Sequence, residues 1–141
     1  MRKFFAAAAG VCLAVCLVSA AGCSEDLSPE GKDWRFAFAQ GQAGRVLFCS
    51  EEYAAVYPDA ERAEGICSAE DGGIAVAVAD KEYSGTYRKA DGDGKSALYV
   101  ALFGEEEWNM VCGVTERTDG EEYTLILSSK GYAVTFYADV D

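Results

Sequence analysis

The stretch Ala97-Leu98-Tyr99-Val100-Ala101-Leu102-Phe103, followed by Gly104-Glu105-Glu106 and then by the run Trp108 to Glu116, decides the fold. In an extended chain, successive side chains point to opposite faces. Leu98, Val100 and Leu102 therefore share one face, and Ala97, Tyr99, Ala101 and Phe103 share the other. The acidic, glycine-bearing connection is hairpin chemistry, so the two runs pair antiparallel. A sheet with one wet face would show polar residues on that face, and here both faces are apolar. Either a second layer covers the outer face, as in a sandwich or a barrel with another element lying over one side, or a partner docks there.

The same alternation extends in both directions from this hairpin. Trp34, Phe36 and Phe38 fall on one face of a first strand, opposite Arg35, Ala37 and Ala39, and Gln40 to Gly44 turns into Arg45 to Cys49. Further runs are Gly73 to Ala79, Tyr83 to Lys89, Tyr123 to Ser128 and Tyr132 to Asp139, with a brief one at Gly65 to Ser68. Asp91-Gly92-Asp93-Gly94, Thr118-Asp119-Gly120 and Ser129-Lys130-Gly131 supply the turns. The expected fold is mainly β: an antiparallel up-and-down meander of eight or nine strands in residues 33–141, closing into a small barrel or a sandwich. One short helical insert is expected near 50–64, where Ser50 can cap a first turn and Asp59 a second one after Pro58.

Composition removes whole classes of chemistry. With 141 residues the chain is long enough for one core. It has no histidine, which removes the usual general base near neutral pH, the Ser-His and Cys-His nucleophiles and most zinc, copper and haem sites. A net charge of −12 opposes nucleic acid as a partner, because phosphate binding depends on Lys and Arg. Paired carboxylates can cleave glycosides without histidine, yet every acid lies in a turn, in the insert or at a strand end. No metal site and no cofactor is expected. Asp91-Gly92-Asp93-Gly94-Lys95 lacks the later ligands of a calcium loop, with Leu102 at its twelfth position, and reads as a hairpin turn. Glu105 to Glu107 reads as a solvated turn that discourages edge pairing.

The N-terminus reads as an export signal. Arg2 and Lys3 precede an apolar run from Phe4 to Val18, and small residues lead to Ala20-Ala21-Gly22-Cys23. This segment resembles a bacterial lipoprotein signal, with Ala20 where that family prefers Leu. The resemblance implies that residues 1–22 are removed together with Cys12 and Cys16. It further implies that Cys23 carries a diacylglycerol thioether and an N-acyl chain such as palmitate, that residues 23–32 form a polar tether, and that membrane contact is made through this lipid. Ser24 in the next position points to the outer membrane, at its periplasmic face or the cell surface, if the organism has one. Removing Arg2 and Lys3 leaves 10 basic against 24 acidic residues, a net charge of −14. Such a chain is repelled by an anionic bilayer, so the lipid must hold it there.

Three cysteines remain in the body. An exported compartment permits disulfides, and Cys49 with Cys67 would pin both ends of the insert, a bridge that adds roughly 3 kcal/mol on the loop-entropy model. The alternative is that these thiols, Cys112 above all, are small buried apolar groups.

Gly31-Lys32-Asp33-Trp34 and Gly85-Thr86-Tyr87 resemble the glycine-aromatic marker of lipocalin-like (calycin) barrels. The resemblance implies an up-and-down barrel of about eight strands that can hold one small apolar molecule. Trp34, Phe36, Phe38, Tyr87, Trp108, Tyr132 and Phe136 would line its interior, or would simply fill it. The functional expectation is a lipid-anchored envelope binding protein and not an enzyme. It would be a carrier of an apolar ligand or an interaction lipoprotein that docks on an envelope protein through its outer strand faces.

Overall fold

The computed structural model describes residues 27–92, 96–118 and 120–140. The segment expected to be an export signal, Cys23 and residues 93–95 of the Asp91 turn lie outside these residues. Ten strands appear in chain order: β1 (Trp34–Gln40), β2 (Val46–Cys49), β3 (Glu61–Arg62), β4 (Gly65–Glu70), β5 (Gly73–Val78), β6 (Lys81–Gly92), β7 (Ser96–Phe103), β8 (Glu106–Arg117), β9 (Gly120–Ser129) and β10 (Tyr132–Asp139). From β4 to β10 each strand pairs with the next, and β1 joins β4 to β10, so eight antiparallel strands close a barrel. The meander is interrupted once. β2 pairs with the far half of β1, and the two-residue β3 pairs parallel with β2, so both stand outside the barrel.

Tight turns fix the registers. Glu70 faces Gly73 across Asp71-Gly72, and Ser129 faces Tyr132 across Lys130-Gly131. All four turn residues have positive φ, the conformation that lets a two-residue loop follow the strand twist. Register in turn decides which side chains are buried, because a slip of one residue would turn each of them to the other face.

The interior is built from alternate residues of the barrel strands. Trp34, Phe36, Cys67, Ile74, Val76, Ala97, Tyr99, Ala101, Met110, Cys112, Leu125, Leu127 and Phe136 are all buried in one cluster. In β7 the expected division of faces holds: Tyr99 and Ala101 are buried, while Leu98 and Leu102 are 42% and 40% exposed.

A bulge in β1 changes the expected pattern. Phe36 lies opposite Phe136, but Phe38 lies opposite Thr135, so β1 takes two steps where β10 takes one. Ala37 is the extra residue, and beyond it the parity of β1 is reversed. Phe38 therefore leaves the interior and joins a second cluster with Ala37, Cys49 and Tyr137 on the outer side, while Ala39 turns inward.

The segment between β2 and β3 covers that outer cluster, and the short helical insert expected there is a single turn. It forms one 3-10 turn, Glu51–Tyr53, followed by further turns, and Ser50 makes no side-chain capping bond. Pro58 has no N–H to give and biases Tyr57 away from helical geometry, so a helix starting at Ser50 has too few residues to propagate. Tyr53 and Tyr57 place their rings 5.6 and 5.2 Å from that of Phe38. Aromatic packing sets this segment's conformation where capping residues alone suggested a helix.

The bulge also separates the two cysteines expected to pair. Cys49 pairs with Phe38 and belongs to the outer cluster, whereas Cys67 pairs with Trp34 on the same edge of β1 and belongs to the barrel interior, so the two thiols lie on opposite faces of the sheet. Cys49, Cys67 and Cys112 are all free and buried.

Candidate functional site: the barrel interior and its closed end

The seven aromatic residues expected to line an interior do not all meet there. Trp34, Phe36 and Phe136 lie in the central cluster, and Tyr87 and Trp108 are partly buried against it. Phe38 is outside, beyond the bulge. Tyr132 stands at the end of β10 and is 47% exposed.

At the middle of the barrel the side chains touch one another. Ala101, Met110, Leu125 and Phe136 have no exposed surface, and Trp34 and Phe36 retain 1%. A cavity that holds even one water leaves accessible area on the groups that line it, and at this level those groups keep 1% or less. Phe36 and Phe136 meet edge to face, with ring centroids 6.0 Å apart. Toward the β7–β8 turn the packing continues through Phe103, which stands edge-on to Trp108 and to Tyr83, each at 6.5 Å.

The other end, where β1 begins, is crossed by Leu27 to Lys32. Residues 27–32, expected to be part of a polar tether, fold onto the barrel instead. Pro29 is fully buried and Leu27 packs on the central cluster. The Trp34 indole N–H donates to the Pro29 carbonyl at 2.8 Å, which satisfies the one polar atom of an otherwise apolar side chain. Gly31, at φ +77, turns the chain toward β1 in a conformation that favours glycine. Lys32 donates to the Ser28 carbonyl at 2.7 Å and stands 4.5 Å above the Tyr123 ring.

Glu30 fastens this crossing. Its Oε2 accepts from the Tyr87 hydroxyl at 2.5 Å and from the Gly72 amide at 3.4 Å. The Tyr87 bond, aided by backbone amides, outweighs desolvation and holds the Glu30 carboxyl below its ordinary value of 4.5. Burial, the same hydrogen bond and the negative charge of Glu30 push the Tyr87 hydroxyl well above its ordinary value. A general acid needs a raised carboxyl pKa, and Glu30 is shifted in the opposite direction. Burial raises the thiols of Cys67 and Cys112 to about 12, which leaves them protonated and poor nucleophiles at neutral pH. Among the described residues no three Cys, Asp or Glu side chains gather as a metal site, and no helix is long and apolar enough to cross a membrane.

Sequence reading missed Glu30 and Pro29, which lie in a polar stretch with no periodicity. The signal available was Trp34, whose indole needs an acceptor once its strand is buried. No protein-family model, curated protein or solved structure matches the chain, so these contacts are its own evidence.

Proposed function

We propose that this chain is an exported lipoprotein, anchored through Cys23, whose solid barrel is an interaction module for an envelope partner. The observation that carries the reading is the filled interior. A carrier would have to displace Trp34, Phe36, Met110 or Phe136 to admit a ligand, and each has 1% exposure or less.

The outer side of β7 offers an apolar face for docking. The covering segment packs on β1 and β10, while Leu98 and Leu102 stay exposed. Leu98 lies beside Val111 of β8, which lies beside Ile126 of β9, so apolar side chains continue across three strands. Leu27 follows Cys23 by four residues, a span of at most about 14 Å when fully extended. A lipid on Cys23 would hold the closed end near the bilayer and the β7 face to its side. An outer-membrane location follows from the residue after Cys23 if the organism has such a membrane.

Crosslinking in intact cells tests this reading. One dominant adduct is expected, lost when Leu98 and Leu102 are both changed to Ser while the variant melts as the parent does. Absence of an adduct, or its persistence in the variant, contradicts docking through this face. Cys23→Ser separately tests the anchor: the protein should move from the membrane to the soluble fraction.

A further inference from the structure

The outer surface carries a groove of about 320 Å³ at the barrel end opposite Pro29. Four strands build its floor. Gln40 of β1 lies opposite Ala133 of β10, Ala133 opposite Ser128 of β9, and Ser128 opposite Asn109 of β8. Ala133 is the smallest side chain of this row, and the depression lies over it. The β1–β2 loop makes one wall and is held in place by its own bonds. Gly41 N–H donates to the Arg45 carbonyl at 2.8 Å, and the Gln40 amide donates to the Gly44 carbonyl at 3.1 Å. Tyr132 forms the rim.

The lining selects a ligand by chemistry. Although the chain has 24 acidic residues, none of the described lining residues is acidic, which disfavours a cation. Lys130 lies 3.6 Å from Glu106, so its charge is compensated. What remains are side-chain amides and hydroxyls, each able to donate or accept, beside a half-exposed aromatic ring. A pyranose matches both halves of that description, because its hydroxyls donate and accept while its C–H face is flat and apolar. The groove is open along its length, which suits a segment of a chain. Its volume lies near the lower end of the range of small-molecule sites, roughly 300–1,000 Å³.

We propose that this groove binds a neutral saccharide segment. The groove adjoins the Leu98 and Leu102 face, since Asn109 lies opposite Val100 of β7, but it is centred on β9 and β10 and does not depend on the anchor. Seven residues of β1 separate it from the closed end, about 20 Å of extended strand, so a barrel tethered at that end would present the groove away from the tether.

Saturation-transfer NMR on the full-length, detergent-solubilised protein tests the assignment. The probes are the tetramers of N-acetylglucosamine, glucose in β-1,4 linkage and glucose in α-1,4 linkage. At least one probe should receive saturation at its ring protons. Ala133→Ile suits a strand and fills the floor from outside the core, and it should weaken binding by about tenfold or more. Tyr132→Ala should weaken it while Tyr132→Phe retains it. No saturation of any probe overturns the proposal, as does parental binding in Ala133→Ile. Ala133 lies on β10, three strands from β7, so Ala133→Ile leaves the Leu98 and Leu102 adduct in place and the two readings fail independently.

Discussion

Glu30 and Tyr87 meet across the closed end of the barrel, 57 positions apart in the chain, and their hydrogen bond makes the closure sensitive to acid. The folded carboxyl is held below its ordinary value of 4.5, so its contribution is complete above that value and is lost as pH falls through the lowered pKa. Thermal melts between pH 6 and pH 3 should show the parent losing stability more steeply than Glu30→Gln. Parallel curves would mean that Glu30 does not fasten the crossing. The thiols give a second residue-scale test. Iodoacetamide at pH 7.5 should leave Cys49, Cys67 and Cys112 unmodified in the folded protein and alkylate all three after unfolding without reductant. A Cys49–Cys67 disulfide, seen as two thiols that resist alkylation until reduced, contradicts the placement of these residues on opposite faces of the sheet. Sequence distance suggested the bridge because Cys49 and Cys67 flank one segment. The bulge that parts them adds a single residue and leaves no mark in a run as apolar as Phe36-Ala37-Phe38.

At the scale of elements, the alternation in β7, β8 and β9 was legible because each of these strands keeps one parity from end to end. β1 was legible only as far as Phe36. Beyond it, the assignment of Phe38 to the interior failed for a physical reason: the outer cluster with Tyr53, Tyr57 and Tyr137 buries the ring as fully as the interior would. Phe38→Ala should cost about 3–5 kcal/mol in denaturant unfolding, as for a core aromatic, and a loss under 1 kcal/mol would show the outer cluster to be a loose cover. Gly85, noticed in sequence as part of a glycine-aromatic marker, has a packing role. A Cβ there would lie 1.9 Å from the Leu102 carbonyl oxygen, a backbone atom that cannot yield without moving β7. Gly85→Ala should destabilise by about 3 kcal/mol or more. The insert was legible as a short helix beginning after Ser50, but not its length of one turn, because beyond Tyr53 its backbone follows the packing of the tyrosines.

For the whole molecule, the number of strands and the short turns between them left a barrel and a sandwich both open, and the pairing of β1 with β10 and β4 closes the barrel. The two strands outside the barrel and the folded-back residues 27–32 were not legible, since β2 continues the alternation of β1, the two-residue β3 falls inside the segment expected to be helical, and the crossing has no pattern of its own. The central claim is that side chains fill the middle of the barrel and that the molecule works by its surface. It accounts for the full enclosure of Trp34, Phe36, Met110 and Phe136 and for the apolar residues that remain outside on β7. Native mass spectrometry of the protein extracted in mild detergent from its own envelope tests that claim most directly. The account predicts the mass of the mature chain with its covalent lipid and nothing more; a stoichiometric apolar molecule retained through gas-phase activation that strips detergent, and released only on unfolding, would contradict it.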